Sequence, residues 1–275
     1  MDAPVDLYNT SYNTFSVDVQ QAVRSKTYGE DIGQSGWMTA DELRSFIALL
    51  HLTPSSNVLE IGSGSGGPAL FLAEVVGCHV TGLDINQFGI NNANTLARTR
   101  ELDGRARFQI ADASQPLAFE QDTFDAIISN DSMCHIPERL KVLKDWYRVL
   151  KPGGQMLFSD AMVITGLVSH VEIALRSSIG YYFYLPVGIN EQLIEAAGFE
   201  LLRADDLTAS AAAVSRRWHD ARAEHHEELK RIEGASNFEG LQAFLWCVHT
   251  LTSERRLSRY MYLARKPTAE ATVQP

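Results

Sequence analysis

Val58-Leu59-Glu60-Ile61-Gly62-Ser63-Gly64-Ser65-Gly66-Gly67-Pro68 breaks an apolar run into glycines, and Ala69-Leu70-Phe71-Leu72-Ala73 resumes it at once. The pattern predicts a strand, a tight turn and a helix. Glycines at 62, 64 and 66, with Ser63 among them, let the backbone approach a ligand without an intervening Cβ, and the helix start offers unpaired N–H groups. A nucleotide-like ligand is expected at this turn.

The turn alone leaves the ligand open. Gly62, Gly64 and Gly67 also satisfy the G-x-G-x-x-G dinucleotide fingerprint, and Asp84 falls about twenty residues on, where a ribose-binding acid belongs. Glu60 weighs the other way, because a carboxylate just ahead of the glycines repels a pyrophosphate. It suits S-adenosyl-L-methionine, which has no phosphate and carries a sulfonium and an ammonium group.

Outward from the turn, strands and helices alternate. A strand at 57–61 enters it, and behind it come a helix near 67–76, a strand at 79–84, a helix at 87–102, strands at 106–111 and 124–129, a helix at 137–150 and a strand at 154–160. Upstream, Thr39-Ala40-Asp41-Glu42 has capping-box spacing ahead of a helix running to about His51. Such alternation predicts an α/β fold with a mostly parallel, Rossmann-like sheet covered by helices on both faces. Ligands of these sheets bind beyond the carboxyl ends of the strands. Asp84 and Ile85 follow the second strand, Asp112 and Ala113 the third, and Asn130 and Asp131 the fourth. An acid after the second strand can accept both ribose hydroxyls, an acid after the third can accept an adenine amino group, and Ile85 can face the ring.

The flanks read differently from this core at 39–160. Residues 1–38 form an arm or lid without a firm element before 16–25, and Tyr28-Gly29-Glu30-Asp31-Ile32-Gly33-Gln34-Ser35-Gly36-Trp37 has the composition of a loop shaped round a flat ligand. Residues 161–256 form an acceptor-side cap containing a late strand at 199–208, helices at 188–197 and 238–251, and a long charged helix at 211–232 whose charges read as a solvated face. Tyr181-Tyr182-Phe183-Tyr184 lies within the cap, between Gly180 and Gly188. Tyr28 and Trp37 on one side, and Tyr181, Tyr182 and Tyr184 on the other, are expected to close over an acceptor, although four successive residues cannot all face one ligand. A closing strand at 257–267 and a flexible tail at 268–275 complete the chain.

Composition narrows the function classes. With 275 residues and 45% hydrophobic content, the chain fits one large domain or one domain with a substantial insertion. A formal charge of −10 and a pI near 5.3 argue against a chain built to grip nucleic-acid phosphates, so a small-molecule partner is favoured. Cys78, Cys134 and Cys247 are too dispersed for a disulfide framework, and the histidines show no metal-ligand spacing, so no metal is expected. No apolar run suits a membrane helix and the amino terminus lacks the basic start of a signal peptide, which reads as a cytoplasmic protein. Oligomeric state leaves no signal.

The chain resembles class I S-adenosylmethionine-dependent methyltransferases over roughly residues 28–160, with a weaker extension to 267. The motifs are Glu60-Ile61-Gly62-Ser63-Gly64-Ser65-Gly66, Leu83-Asp84-Ile85, Ala111-Asp112-Ala113, Phe124-Asp125-Ala126-Ile127-Ile128-Ser129-Asn130 and Leu150-Lys151-Pro152-Gly153-Gly154. The resemblance implies a seven-stranded sheet whose last strand is antiparallel. It also implies that Asp84 holds the ribose, Asp112 the adenine amine, Gly62 and Gly64 the methionine portion, and Asn130 the neighbouring loop. Tyr28 to Ile32 and Asn130 to Ile136 are similar to the small-molecule group containing phosphoethanolamine and sarcosine/dimethylglycine N-methyltransferases. In the phosphoethanolamine enzymes an Asp-x-x-x-His arrangement supplies a catalytic histidine, and Asp131 and His135 occupy those places. Those enzymes pair the histidine with a tyrosine of the N-terminal helix; at the matching distance before Gly29 this chain has Arg24.

Methyl transfer needs little covalent machinery: the nucleophile is positioned, water is excluded and a proton is removed. His135 is the candidate base, since imidazole titrates near neutrality. Competing readings are a methyltransferase acting on a protein or nucleic acid, an NAD(P)-dependent oxidoreductase on the same glycine turn, and a non-catalytic S-adenosylmethionine-binding protein.

Overall fold

A computed structural model describes residues 5–268; the expected tail lies, from 269 onward, outside the described residues. The chain begins with helices α1 (Tyr8–Asn13), α2 (Asp18–Tyr28) and α3 (Ala40–Leu50). The alternating region follows as β1 (Asn57–Ile61), α4 (Gly67–Val75), β2 (His79–Asp84), α5 (Gln87–Thr99), β3 (Ala106–Ile110) and β4 (Phe124–Ser129). A single 3-10 turn at Met133–His135 leads to α6 (Arg139–Val149), β5 (Leu150–Ile164), α7 (His170–Arg176), β6 (Leu185–Pro186), α8 (Ile189–Ala196) and β7 (Glu200–Asp206). The chain closes with α9 (Thr208–Glu224), α10 (His226–Glu233), α11 (Ala235–Ser253) and β8 (Leu257–Arg265).

The strand order is β3-β2-β1-β4-β5-β8-β7, with the short β6 added alongside β5. The pairs from β3 to β5 are parallel, whereas β8 runs antiparallel to both β5 and β7. The expected seven-stranded Rossmann-like sheet with an antiparallel last strand is therefore present. Reversal of strand order at β1 and β4 opens a crevice at their carboxyl ends, and the glycine turn sits there. Successive β1 side chains face opposite ways: Val58 packs with α3, α4 and α5, while Leu59 and Ile61 pack with α6 and Ile194 of α8.

A third core lies over the crevice, where Val19 and Val23 of α2, Val214 and Trp218 of α9, and Leu241 and Phe244 of α11 meet Trp37. This packing explains two differences from the sequence reading. The long helix expected at 211–232 breaks at His225 into α9 and α10, and its charges are not all solvated: Arg222 is buried in an ion pair with Glu233 and lies over the Phe238 ring. The expected capping box is half formed. The Thr39 hydroxyl accepts the Glu42 N–H at 3.2 Å, but the Glu42 carboxylate turns away to Arg259.

Helix α1, absent from the sequence reading, docks on α5 through side-chain amides: Asn86 Nδ2 donates to Asn9 Oδ1 at 2.9 Å, and Asn92 Nδ2 donates to the Tyr12 carbonyl at 2.7 Å. Among the described residues, no helix is long and apolar enough to cross a membrane.

Candidate active site

The carboxyl ends of β1, β2 and β4, the segment after β3 and helix α1 enclose a cavity of about 510 Å³. Gly62 lines it with a φ of 75°, and a Cβ there would overlap the Ser132 side chain, so the turn requires glycine at this position. Asp84 braces the turn: Oδ2 accepts the Gly64 N–H and Oδ1 the Asn86 N–H, both at 2.8 Å. A carboxylate has about four lone-pair sites, so two remain for a ligand. Burial pushes the Asp84 carboxyl up, against the backbone amides of Asn86, Gly64 and Ile85 that pull it down. Beside it Ile85 stands 71% exposed in the cavity mouth, and across from it are Asp112 and Ala113. The hydroxyl and amide of Ser114 hold the Asp112 carboxyl below the usual carboxylate range. An apolar side chain offered to solvent between two acids is what a flat, polar-edged ring would cover. Asn130 also lines the cavity, and both of its buried amide atoms have no protein partner.

Other glycine-turn residues serve packing. Ser63, Gly64 and Gly66 do not line the cavity; a Cβ on Gly66 would stand 2.7 Å from Ala93 Cβ and 2.9 Å from the Phe108 ring, so its bareness lets α5 and β3 close in. Glu60 is likewise outside the wall. It is buried with Oε2 unpartnered, and burial together with the neighbouring Asp84 pushes its carboxyl up to about 8.

Asp131, expected beside His135 in a catalytic arrangement, has both carboxylate oxygens engaged by the protein. Its Oδ1 accepts Arg259 Nε at 2.7 Å and the Ser159 hydroxyl at 2.8 Å, and its Oδ2 accepts the Trp37 N–H at 3.0 Å. With both oxygens engaged, and Arg259 also tied to Glu42 at 2.5 Å, the carboxylate is a positioning group that pins the 29–37 loop over the end of β4. Trp37 thereby lines the cavity, edge-on to Trp218 with centroids 5.9 Å apart.

His135 lines the same cavity. Its Nδ1 lies 2.8 Å from the Tyr181 carbonyl and its Nε2 lies 2.8 Å from the Tyr8 hydroxyl. A carbonyl can only accept, so Nδ1 bears the hydrogen and Nε2 accepts from the phenol. Burial lowers the imidazole below its ordinary value of 6.5, outweighing the Tyr181 carbonyl. The histidine's partner is thus a tyrosine from α1. Arg24 is elsewhere, its Nε on Asp31 at 3.0 Å and its Nη1 on the Phe15 carbonyl at 2.8 Å.

The aromatic residues separate into two sets. Tyr182 lines the cavity with its ring 4.3 Å from His135, and Tyr181 stands 90% exposed at the mouth. Tyr28 and Tyr184 do not line it. The Tyr28 hydroxyl donates to the Gly36 carbonyl at 2.8 Å, and the Tyr184 hydroxyl meets Ser177 at 2.9 Å. Leucine at 28 or 184 is expected to cost about 1–3 kcal/mol of stability by removing a buried hydrogen bond while leaving acceptor KM unchanged; Tyr182→Leu is expected to change kcat or KM. Denaturant titration beside steady-state assays checks both.

Sequence reasoning did not find Tyr8, Tyr12, Arg176, Trp218 or Phe244, all on the cavity wall. Tyr8 and Tyr12 had one signal, an i,i+4 spacing that places both on one helix face. Among the described residues, no group of three or more His, Cys, Asp or Glu side chains could hold a metal.

Residues 59–158 match the family model described as a methyltransferase domain. The chain is 33% identical over 167 residues to sterol 24-C-methyltransferase ERG6B of Gibberella zeae, covering 58% of this chain and 43% of that protein. It is 27% identical over 226 residues to 27-O-demethylrifamycin SV methyltransferase of Amycolatopsis mediterranei, covering 80% of each. Against the sterol enzyme the chain spans less than half the relative's length. The fold superposes on phosphoethanolamine N-methyltransferase 2 of Haemonchus contortus, solved with phosphomonomethylethanolamine and S-adenosylhomocysteine, with a TM-score of 0.79 at 20% identity over 95% of this chain and 60% of that one. The glycine turn, the acids after β2 and β3 and the family match converge on one stretch: the chain carries, at residues 59–158, a methyltransferase domain.

Proposed function

We propose that the protein moves the methyl group of S-adenosylmethionine to a small-molecule acceptor seated in the same cavity. The observation that carries this reading is continuity: one cavity joins the Gly62, Asp84, Asp112 and Asn130 rim to the Tyr8–His135 pair. The rim fits the cofactor, because the bare Gly62, the orphaned amide of Asn130 and the open Ile85 are respectively a close approach, a polar site and an apolar platform awaiting a ligand. Bound there, the cofactor supplies an electrophilic methyl group.

The chain's residues position and deprotonate. An acceptor N–H or O–H hydrogen-bonded to the Tyr8 oxygen passes its proton to that oxygen as the phenol proton moves to His135 Nε2, leaving an imidazolium whose Nδ1–H stays on the Tyr181 carbonyl. Trp37, Tyr182 and Phe244 wall the acceptor from water. The arm at 1–38 and the cap at 161–256 act as the two sides of this enclosure, and buried, unpaired Cys78, Cys134 and Cys247 support a reducing, cytoplasmic setting.

Incubation with methyl-deuterated S-adenosylmethionine and a metabolite extract should yield S-adenosylhomocysteine and a mass-shifted small molecule. Cofactor binding without turnover on any extract would sink the enzymatic reading. Asp84→Ala is expected to weaken S-adenosylhomocysteine binding by about 1.5–3 kcal/mol, the worth of hydrogen bonds to a charged group. Calorimetry on a variant with unchanged circular dichroism reads this, and wild-type affinity would remove Asp84 from the ribose site.

A further inference from the structure

Arg176, the last residue of α7, is 1% exposed and lines the cavity. Its Nε and Nη1 have no hydrogen-bond partner. The acids around it are committed to other cations: Asp131 to Arg259, Asp160 to Arg139 and Glu172 to Arg256. Three ring faces surround it instead, with Tyr182 at 4.4 Å, Phe244 at 5.1 Å and Trp37 at 5.9 Å from the guanidinium carbon. Cation–π attraction and the neighbouring Tyr182 hydroxyl offset part of the desolvation of a buried arginine, but neither brings a counter-charge to Nε and Nη1. Buried, charged donors on a residue that lines a ligand cavity are short of one thing, an anionic oxygen.

We propose that Arg176 binds a carboxylate or phosphate oxyanion of the methyl acceptor, so that the protein's acceptors are amphipathic molecules with an apolar body and one oxyanion. The proposal rests on the methyl-transfer reading of the cavity. The apolar body is dictated by the ring walls and the oxyanion by guanidinium chemistry. Tyr182 touches both groups, its ring centroid 4.3 Å from the His135 ring and tilted 45° to it, and 4.4 Å from the Arg176 guanidinium carbon. Anchoring the oxyanion at Arg176 therefore points the remainder of the acceptor toward Tyr8 and His135. It also gates the base. The Arg176 charge adds to burial in holding the His135 imidazole down, and an anion that neutralises this charge makes His135 more basic only when an acceptor is seated.

Hexanoate, hexyl phosphate and neutral hexanamide, titrated calorimetrically into the full chain with and without saturating S-adenosylhomocysteine, test the proposal. One of the two oxyanions is expected to bind about tenfold or more tightly than hexanamide, and which one does so distinguishes carboxylate from phosphate. The preference should vanish in Arg176→Gln and Arg176→Met and survive in part in Arg176→Lys, while S-adenosylhomocysteine affinity stays at the wild-type value. In wild type the His135 ring resonances should titrate at higher pH once the oxyanion is added. Equal binding of charged and neutral probes by wild type overturns the proposal, as does a preference unaltered in the variants; should the Gln and Met forms not fold, wild type and Arg176→Lys decide. Failure of S-adenosylhomocysteine to bind wild type would instead strike the methyl-transfer reading, and the oxyanion preference measured without it still judges Arg176.

Discussion

His135→Ala is expected to lower turnover by about 10²- to 10⁴-fold, the usual worth of a positioned general base, while S-adenosylmethionine affinity stays near wild type. The reason is placement: His135 shares the cavity with the cofactor rim but bonds only to Tyr8 and the Tyr181 carbonyl. Tyr8→Phe should lose turnover in the same direction, and His135→Ala in a Tyr8→Phe background should cost little more, because the pair acts as one relay. Equal losses in turnover and cofactor affinity would mark His135 as structural. The pH dependence has a defined sign. Tyr8, Tyr182 and the Tyr181 carbonyl face the ring, with the charges of Arg176, Asp160 and Asp131 nearby, and burial is the largest influence, lowering the imidazole below 6.5. The acid limb of the kcat/KM profile, which reports the free enzyme, is expected below pH 6.5. The unfolded chain binds more protons here than the folded one, so stability from this group is complete above 6.5 and is lost as pH falls toward the folded value.

Arg259→Met is expected to destabilise the fold by about 3–5 kcal/mol, because it strands buried carboxylates that have lost their counter-charge. Arg259 is fully buried and joins three elements: Glu42 of α3, Asp131 at the end of β4 and its own β8. Asp131 in turn holds the Trp37 N–H. A denaturant midpoint shift with unchanged m-value measures the loss. Turnover of the surviving folded fraction should also drop, since the 29–37 loop forms the cavity wall. Restoration of stability by the added change Glu42→Gln would identify the stranded charge as the cause, whereas a loss below about 1 kcal/mol would mean that the triad is solvated and contributes little.

The strand-turn-helix at 57–75, the acids at 84 and 112 and the strand at 257–265 were readable in the sequence because each depends on local rules; the antiparallel direction of that strand came only from the family resemblance. Period-two and helical apolar spacing set the elements, glycine sets the turn, and strand-end chemistry in a parallel sheet faces a common crevice. Helix α1 was not readable. Its Tyr-Asn-Thr-Ser-Tyr-Asn sequence is poor in helix formers, and it is held by Asn86, which caps α5, by Asn92 of α5 and by Tyr8 on His135, contacts far apart along the chain. Motif spacing found Arg24 where a tyrosine partner was sought and set Asp131 beside His135, whereas the tertiary structure joined Tyr8 to His135 and paired Asp131 with Arg259, 128 residues later. The same separation hid which tyrosines face the cavity and left the unpaired donors of Arg176 invisible. Local pattern determines the strands and turns, but the partner of a buried polar group is chosen by desolvation across the whole fold, which no short stretch of sequence records.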